Sequence, residues 1–243
     1  MLPLLTLKYE IGSINRPKSK AQPRIMEGYK VPANSIHHKL TVHVRMFEKE
    51  GLPDALNCGG TLISHNYVLT AAHCCEINNT ILTTGQIVAK DPLNERNEKM
   101  RKVSEVLLHP KYEMKVLLPN LPAVPLYDFA ILKLAAPLQN LFVCLPTNKI
   151  DQLVGANGTV SGWGWFDKTK KLLSPFLKAA SVTVISNKQC IKSALELYGI
   201  HLPFRGQRSS TGLGSLSFLL CADGQKTKSS ACYGDSGGVK FYS

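Results

Sequence analysis

The sequence lacks the features that assign a chain to several common protein classes. No stretch approaches the roughly 18 uninterrupted apolar residues of a membrane helix. The apolar stretch Val116–Leu126 contains Pro119, Pro122 and Pro125, and this density of prolines predicts a surface loop. The sequence also contains no internal repeat and no low-complexity segment. A membrane-spanning helix is therefore not expected.

Acidic residues are scarce, since 17 aspartates and glutamates stand against 29 lysines and arginines and leave a net charge of +12. A basic excess raises the question of nucleic acids or anionic surfaces as partners. The basic residues are scattered, however, with no run longer than Lys170–Lys171 and no interleaved aromatic stripe. Nucleic acid is therefore not expected as a partner. With 44% hydrophobic residues over 243 positions, the chain can bury the core of one large all-β domain or two small ones.

The cysteines include no C-x-x-C pair, so the sequence indicates neither a zinc site nor a thioredoxin-like motif, and no metal is expected. Long, uneven spacings favour disulfides and an oxidising compartment, and the odd number of cysteines leaves at least one thiol without an intrachain partner. The seven are Cys58, Cys74, Cys75, Cys144, Cys190, Cys221 and Cys232. N-glycosylation sequons at Asn78 and Asn157 are compatible with secretion. The short apolar segment Met1–Leu7 is interpreted as the remnant of a signal peptide.

Short hydrophobic runs dominate the pattern after about residue 38. Leu40, Val42, Val44 and Met46 alternate with polar residues, which predicts a half-buried strand. Further runs separated by Gly, Pro and Asn predict strands at residues 60–64, 67–70, 86–89, 103–108, 129–134, 159–161 and 181–185. Many short strands with intervening turns predict a β-barrel or a β-sandwich. One helix is predicted over residues 187–198, and residues 203–217 are predicted as a loop.

Three segments carry candidate catalytic residues. His73 follows an apolar run. A lone histidine in that position usually has no catalytic role and is either packed in the core or exposed to solvent. A Cys58–Cys74 disulfide, however, would hold the loop that carries His73 in place. Asp128 begins a predicted strand, either as a turn residue or as a carboxylate that orients a histidine. Ser236 lies among glycines, which permit tight turns and leave backbone N–H groups free to stabilise an oxyanion.

The order of these residues excludes one alternative enzyme class. The segment 234–238 also fits the G-x-S-x-G elbow of α/β-hydrolases, but those enzymes need an acid and then a histidine after the serine. Seven residues follow Ser236, and none of them is Asp, Glu or His. The strands also lack the long intervening helices of βαβ units.

The order His73, Asp128, Ser236 is instead accompanied by five motifs: CGGTLIS, LTAAHC, YDFAILKL, SGWG and CYGDSGG. From Ile25 to about Gly238, the sequence resembles the trypsin/chymotrypsin family of serine endopeptidases. The resemblance implies an all-β fold of two antiparallel six-stranded Greek-key barrels. It also implies a peptidase domain over residues 25–243 and a leader over residues 1–24.

The resemblance implies a role for each site residue. Ser236 is the nucleophile, His73 is its base, and Asp128 orients His73. The backbone N–H groups of Gly234 and Ser236 form the oxyanion hole. The expected reaction is hydrolysis of peptide bonds through an acyl-enzyme, with protein or peptide substrates and no cofactor. We expect a monomer.

The segment Arg24–Gly28 is similar to the activation site of the family. Cleavage after Arg24 by an activating protease would free the amine of Ile25, which by resemblance pairs with Asp235. The composition of residues 1–24 would also suit an ordinary disordered terminus. Together with the resemblance, however, this segment predicts a secreted zymogen.

Disulfides and specificity follow from the same resemblance. The pairs Cys58–Cys74 and Cys190–Cys221 match family pairs. Three cysteines have no assigned partner: Cys75, Cys144 and Cys232. Ser230 takes the position at the base of the primary specificity pocket, where a neutral serine in place of aspartate favours a small or apolar side chain at the cleavage position.

The family pattern continues well beyond the serine, whereas this sequence ends at Ser243 and has Val239 where a proline is usual. We therefore expect a C-terminal truncation and an incomplete second barrel with exposed strand edges. A second hypothesis follows, namely a non-catalytic homologue that acts as a binding or regulatory protein and is inert because the C-terminal strands are missing. The presence of all three triad residues favours the endopeptidase.

Overall fold

The computed structural model describes residues 28–32, 35–50, 56–90, 98–116, 123–145, 150–167, 172–197, 221–224, 233–238 and 240–242. The fold of these residues is mostly β, as predicted. The strands are β1 (Tyr29–Lys30), β2 (Thr41–Phe47), β3 (Leu56–Ser64), β4 (Tyr67–Thr70), β5 (Glu76–Ile77), β6 (Thr80–Ile81), β7 (Thr84–Lys90), β8 (Glu98–Leu108), β9 (Glu113–Lys115), β10 (Val124–Leu126), β11 (Ala130–Leu134), β12 (Asn157–Gly162), β13 (Trp165–Asp167), β14 (Leu172–Leu173), β15 (Lys178–Ile185), β16 (Cys221–Asp223) and β17 (Lys240–Tyr242). The helices in this part of the chain are α1 (Ile36–Leu40), α2 (Asn187–Leu197) and two 3₁₀ helices, Ala72–Cys75 and Ile150–Leu153.

Six strands close into a barrel in the order β11-β4-β3-β2-β7-β8. Every neighbouring pair is antiparallel, and the barrel closes where β11 pairs with β8. Alternate residues of β2 (Val42, Val44 and Met46) point into the barrel and have no exposed surface, as the alternation predicted. Burying one such side chain contributes about 1.5–3 kcal/mol to stability, so this interior anchors the fold.

The prediction that β2 is only half-buried is wrong. Its polar face is covered as well, since Thr41 has no exposed surface and His43 is 6% exposed. The Thr41 hydroxyl is hydrogen-bonded to that of Ser161 at 3.3 Å. The ring of His43 stacks on that of Trp163, with centroids 6.1 Å apart. Because Ser161 and Trp163 lie at the end of β12, the outer face of β2 packs against a second sheet.

The second sheet has the order β1-β15-β12-β17, with β16 also paired to β15. Its buried core includes Val31, Trp163, Leu177 and Ala179. Helix α2 precedes β16 in the chain and is joined to it by the Cys190–Cys221 disulfide. Among the described residues this half is a five-stranded antiparallel sheet, whereas the resemblance implied six strands. Its expected incompleteness stays a prediction.

Local predictions agree with the structure in most places. Strand β4 has the predicted bounds, and α2 begins at the predicted residue and ends one residue early. The surface loop expected over residues 116–126 is wrong in part, because β10 pairs there with β9, with Pro125 opposite Met114. Proline is tolerated in such a ribbon because edge strands leave some N–H groups unpaired. No helix among the described residues is long and apolar enough to cross a membrane.

Two predicted segments lie outside the described residues. These are the leader over residues 1–24 and the loop over residues 203–217. The division of the chain into this leader and a domain over residues 25–243 stays a prediction.

Candidate active site

His73 and Asp128 meet because their strands are neighbours in the barrel. Strand β4 ends at Thr70, β11 begins at Ala130, and these two residues are paired across the antiparallel ladder. In an antiparallel pair, the end of one strand lies beside the start of the other. The 3₁₀ helix after β4 carries His73, and Asp128 immediately precedes β11. The barrel therefore joins two residues that are 55 positions apart in sequence.

Both oxygens of the Asp128 carboxylate contact His73. Oδ1 accepts a hydrogen bond of 2.8 Å from the backbone N–H of His73, and Oδ2 lies 2.7 Å from Nδ1 of its ring. Because a carboxylate only accepts, Nδ1 is the ring nitrogen that carries the hydrogen. In the neutral ring Nε2 then has the free lone pair, which is the form that a general base needs. Asp128 is 8% exposed and the His73 side chain 36%, so the acid is covered while the histidine reaches solvent.

A tight turn presents Asp128 to the histidine. Tyr127 has φ of 52°, in the left-handed region that costs a non-glycine residue about 1–2 kcal/mol. His109 contacts both neighbours of Asp128, since its ring stacks on Tyr127 at 5.1 Å and meets the edge of Phe129 at 5.0 Å. The backbone N–H of His109 also donates to the Phe129 carbonyl at 2.9 Å. These contacts hold the turn in its strained conformation.

The Cys58–Cys74 disulfide lies against the histidine. Its sulfurs are 2.02 Å apart, and Sγ of Cys74 is 3.8 Å from Nε2 of His73. The two sulfurs and the imidazole have a spacing that could suit a metal ion. A disulfide sulfur has no thiolate to offer, so this cluster does not have the donor set of a zinc site.

Ser236 is tied to the same strand as Cys58. Its carbonyl accepts a hydrogen bond of 2.6 Å from the N–H of Gly59. The Thr70 hydroxyl donates to the Gly59 carbonyl at 2.8 Å, which connects this point to the end of β4. A Cβ added to Gly59 would lie 2.8 Å from Cα of Gly238, so the two segments touch backbone to backbone. The backbone of Ser236 is thus fixed one residue away from the disulfide beside His73.

The residues before Ser236 contact the segment that follows β12. Oδ1 of Asp235 accepts a hydrogen bond of 2.7 Å from the N–H of Gly164. The carbonyl of Tyr233 accepts one of 2.8 Å from the N–H of Trp165. Between them, Gly234 has φ of +90°, a conformation that strongly favours glycine. The turn that carries the candidate nucleophile is therefore supported by β3 on one side and by the segment that follows β12 on the other.

Two of the described cysteines are not in disulfides. Cys144 is exposed and Cys75 is buried. Burial, with a smaller contribution from the Asp128 charge, raises the pKa of the Cys75 thiol to about 12. Cys75 therefore stays protonated near neutral pH, and it is not a competing nucleophile.

Several predicted site residues lie outside the described residues: Arg24, Ile25, Ser230 and Cys232. Their assigned roles stay predictions. Gly59 and His109 contribute to the site but were not singled out in the sequence. A signal for Gly59 existed, because a glycine inside a strand often marks a close approach of two backbones. His109 carries no comparable signal, since only the fold shows what its ring contacts.

The chain matches the family model described as Trypsin over residues 25–241. It is 28% identical to Serine protease Hayan of Drosophila melanogaster over 239 residues, which are 94% of this chain but only 34% of that protein. It is 27% identical to Trypsin 5G1 of Aedes aegypti over 223 residues, 90% of this chain and 71% of that protein. For Tonin of Rattus norvegicus the identity is 27% over 246 residues, 98% of this chain and 82% of that protein. Because the family match covers most of its length, the chain belongs to the trypsin family of serine proteases.

Proposed function

We propose that the chain is a serine endopeptidase that hydrolyses peptide bonds through a His73–Asp128–Ser236 triad and an acyl-enzyme. The observation that carries this proposal is the paired contact of Asp128 with His73, at 2.8 Å to the backbone N–H and 2.7 Å to Nδ1. It leaves Nε2 of His73 as the basic nitrogen of the neutral ring.

The proposed reaction assigns one step to each residue of the triad. Nε2 of His73 takes the proton of the Ser236 hydroxyl while Oγ of Ser236 attacks the carbonyl carbon of the substrate. Asp128 keeps the hydrogen on Nδ1 and stabilises the imidazolium that forms. The same imidazolium then protonates the leaving amine. In the second half of the reaction, His73 takes a proton from water, and the resulting hydroxide releases the acyl group from Ser236.

The oxyanion of the tetrahedral intermediate accepts hydrogen bonds from the backbone N–H groups of Gly234 and Ser236. Losing one such donor costs roughly 3–4 kcal/mol of transition-state stabilisation. The positive φ of Gly234 and the hydrogen bonds from Gly164 to Asp235 and from Gly59 to Ser236 support this role, because together they fix the backbone of the turn.

We also propose that the enzyme is a secreted, monomeric zymogen, cleaved after Arg24 by an activating protease. The freed amine of Ile25 would pair with the Asp235 carboxylate. The position of that carboxylate supports this step, since it is hydrogen-bonded to Gly164 and an added Cβ on Gly164 would collide with both of its oxygens. A charge held this close to the backbone of the oxyanion turn can couple cleavage to the order of that turn. The neutral Ser230 would favour small or apolar side chains at the cleavage position.

The test is labelling by a fluorophosphonate probe, which reacts only with an activated serine. The protein is cleaved after Arg24, labelled and compared with Ser236→Ala and with an uncleaved Arg24→Gln variant. We expect labelling of the cleaved protein and little labelling of either variant. If a folded, correctly cleaved protein is not labelled, the catalytic proposal is wrong and the non-catalytic, regulatory hypothesis replaces it. Equal labelling of Arg24→Gln would exclude the zymogen.

A further inference from the structure

A small hairpin follows directly after the 3₁₀ helix that carries His73. Its strands are β5 and β6, with Ile77 paired to Thr80 and Glu76 paired to Ile81. The base of the hairpin is held firmly, because Leu82 is 3% exposed and its N–H donates to the Cys75 carbonyl at 2.8 Å. The hairpin thus projects from the same helix that presents His73, and its base is anchored to that helix.

The tip of this hairpin contains only Asn78 and Asn79. Their φ angles are 49° and 62°, so both lie in the left-handed region. A two-residue hairpin loop with positive φ at both positions is the type I′ turn, in which asparagine is favoured. Both asparagines and Thr80 are exposed. Asn78, Asn79 and Thr80 form an N-x-T sequon, so an acceptor sequon occupies a fully exposed turn.

We propose that Asn78 carries an N-linked oligosaccharide, a proposal that rests on the proposed secretion of the chain. The co-reactant is an oligosaccharide attached to a lipid diphosphate. The amide nitrogen Nδ2 of Asn78 forms a bond to C1 of the first sugar and loses one proton, while the bond between C1 and the diphosphate oxygen breaks. The lipid diphosphate leaves with the electron pair of that bond. Nothing is oxidised or reduced.

The second sequon occupies a different environment. It begins at Asn157, the first residue of β12, whose side-chain oxygen accepts a hydrogen bond of 3.1 Å from the Thr183 hydroxyl. Thr159 lies in the middle of the sheet, paired with Ser181 on one side and Phe241 on the other. Asn157 is exposed like Asn78, but its sequon threonine lies within the sheet, whereas Thr80 is exposed beside the turn. The folded chain therefore leaves more room for a glycan at the Asn78 turn, and we assign the glycan to Asn78 rather than to Asn157.

The test uses the full chain, secreted from insect cells behind an added signal sequence, and its intact mass before and after treatment with an N-glycosidase. Asn78→Gly and Asn79→Gly are matched variants, since each places one glycine in the left-handed turn but only the first destroys the sequon. We expect Asn79→Gly to keep the glycan and Asn78→Gly to lose the mass of one glycan. Thr80→Ser should keep the glycan and Thr80→Ala should lose it.

The proposal is overturned if the secreted chain has an unmodified Asn78, or if Asn78→Gly keeps the full mass shift. Asn157→Gln then shows whether the other sequon is the site. Fluorophosphonate labelling of the same samples separates this outcome from the proposed catalysis. A glycosylated protein that is not labelled contradicts the triad alone, and a labelled protein without a glycan contradicts the glycan alone.

Discussion

The substitution Gly59→Ala is expected to displace Ser236 without breaking strand β3. A Cβ at this position would lie 2.8 Å from Cα and 3.0 Å from N of Gly238. Carbon atoms in contact prefer separations of about 3.5–4.0 Å, so the segment around Gly238 must move by about 0.7 Å or more. Ser236 lies two residues earlier in the same turn, so this displacement also strains the hydrogen bond that its carbonyl accepts from the N–H of Gly59.

The size of the effect follows from that displacement. Misplacing a reacting group by about 1 Å costs on the order of 10²-fold in rate. A shift slightly smaller than this predicts a loss of about 10- to 100-fold, which corresponds to roughly 1.4–2.7 kcal/mol of transition-state stabilisation. The strand should persist, because alanine has no difficulty with extended backbone.

The assay is the second-order rate constant for fluorophosphonate labelling of Ser236 in the cleaved protein, with Tm measured in parallel. Gly155→Ala is the control, since Gly155 has φ of +88° and no neighbouring atom within 4 Å of an added Cβ. We expect the control to lose about 1 kcal/mol of stability through backbone strain and to keep its labelling rate. If Gly59→Ala labels at the unaltered rate, the contact between β3 and the Ser236 turn does not position the nucleophile.

Three further predictions concern the triad acid, the buried thiol and the hairpin. Asp128→Asn should lower kcat on a peptide ester by about 10⁴-fold, the loss known for this change in the family's reference triad, and a much smaller loss would contradict its orienting role. Because the pKa of Cys75 is raised from 9.0 to about 12, the folded state keeps a proton that the unfolded chain loses between these values. The free energy of unfolding should therefore fall by up to about 1.4 kcal/mol for each unit of pH increase in this window. Urea titrations at several pH values should show a smaller fall for Cys75→Ala than for the unsubstituted protein. The tip of the hairpin lies five residues beyond His73, at most about 18 Å along the chain. A glycan there should hinder a folded substrate more than a short peptide. The ratio of the two cleavage rates, folded protein over short peptide, should therefore be higher in Asn78→Gly, which lacks the glycan, than in Asn79→Gly, which keeps it. Equal ratios would show that the glycan does not obstruct the site.

The elements that were predicted well are those defined by nearby residues. Strand β4 follows from a short apolar run bounded by polar residues, and α2 follows from a helical segment with Asn187 at its start. The environment of β2 could not be predicted in the same way. Its polar alternation is real, but Thr41 and His43 face Ser161 and Trp163, more than a hundred positions along the chain.

The candidate site shows the same division. His73, Asp128 and Ser236 were identifiable because their neighbouring residues form recognisable motifs in a fixed order. The contacts that support them were not identifiable. The His109 packing around the Asp128 turn has no local signature, and a glycine within a strand signals a close approach at Gly59 without showing that Ser236 is its partner. Such contacts depend on which strands become neighbours.

The sequence by itself determined the β-rich pattern, the family and the residue types available for catalysis. Only the tertiary structure decided that Asp128 reaches both the backbone and the ring of His73, and that the Ser236 carbonyl is held by Gly59. The physical reason is that strand propensity and turn chemistry act over a few residues. The barrel closes instead through pairing and burial between strands far apart in sequence, and this closure sets the distances on which the chemistry depends.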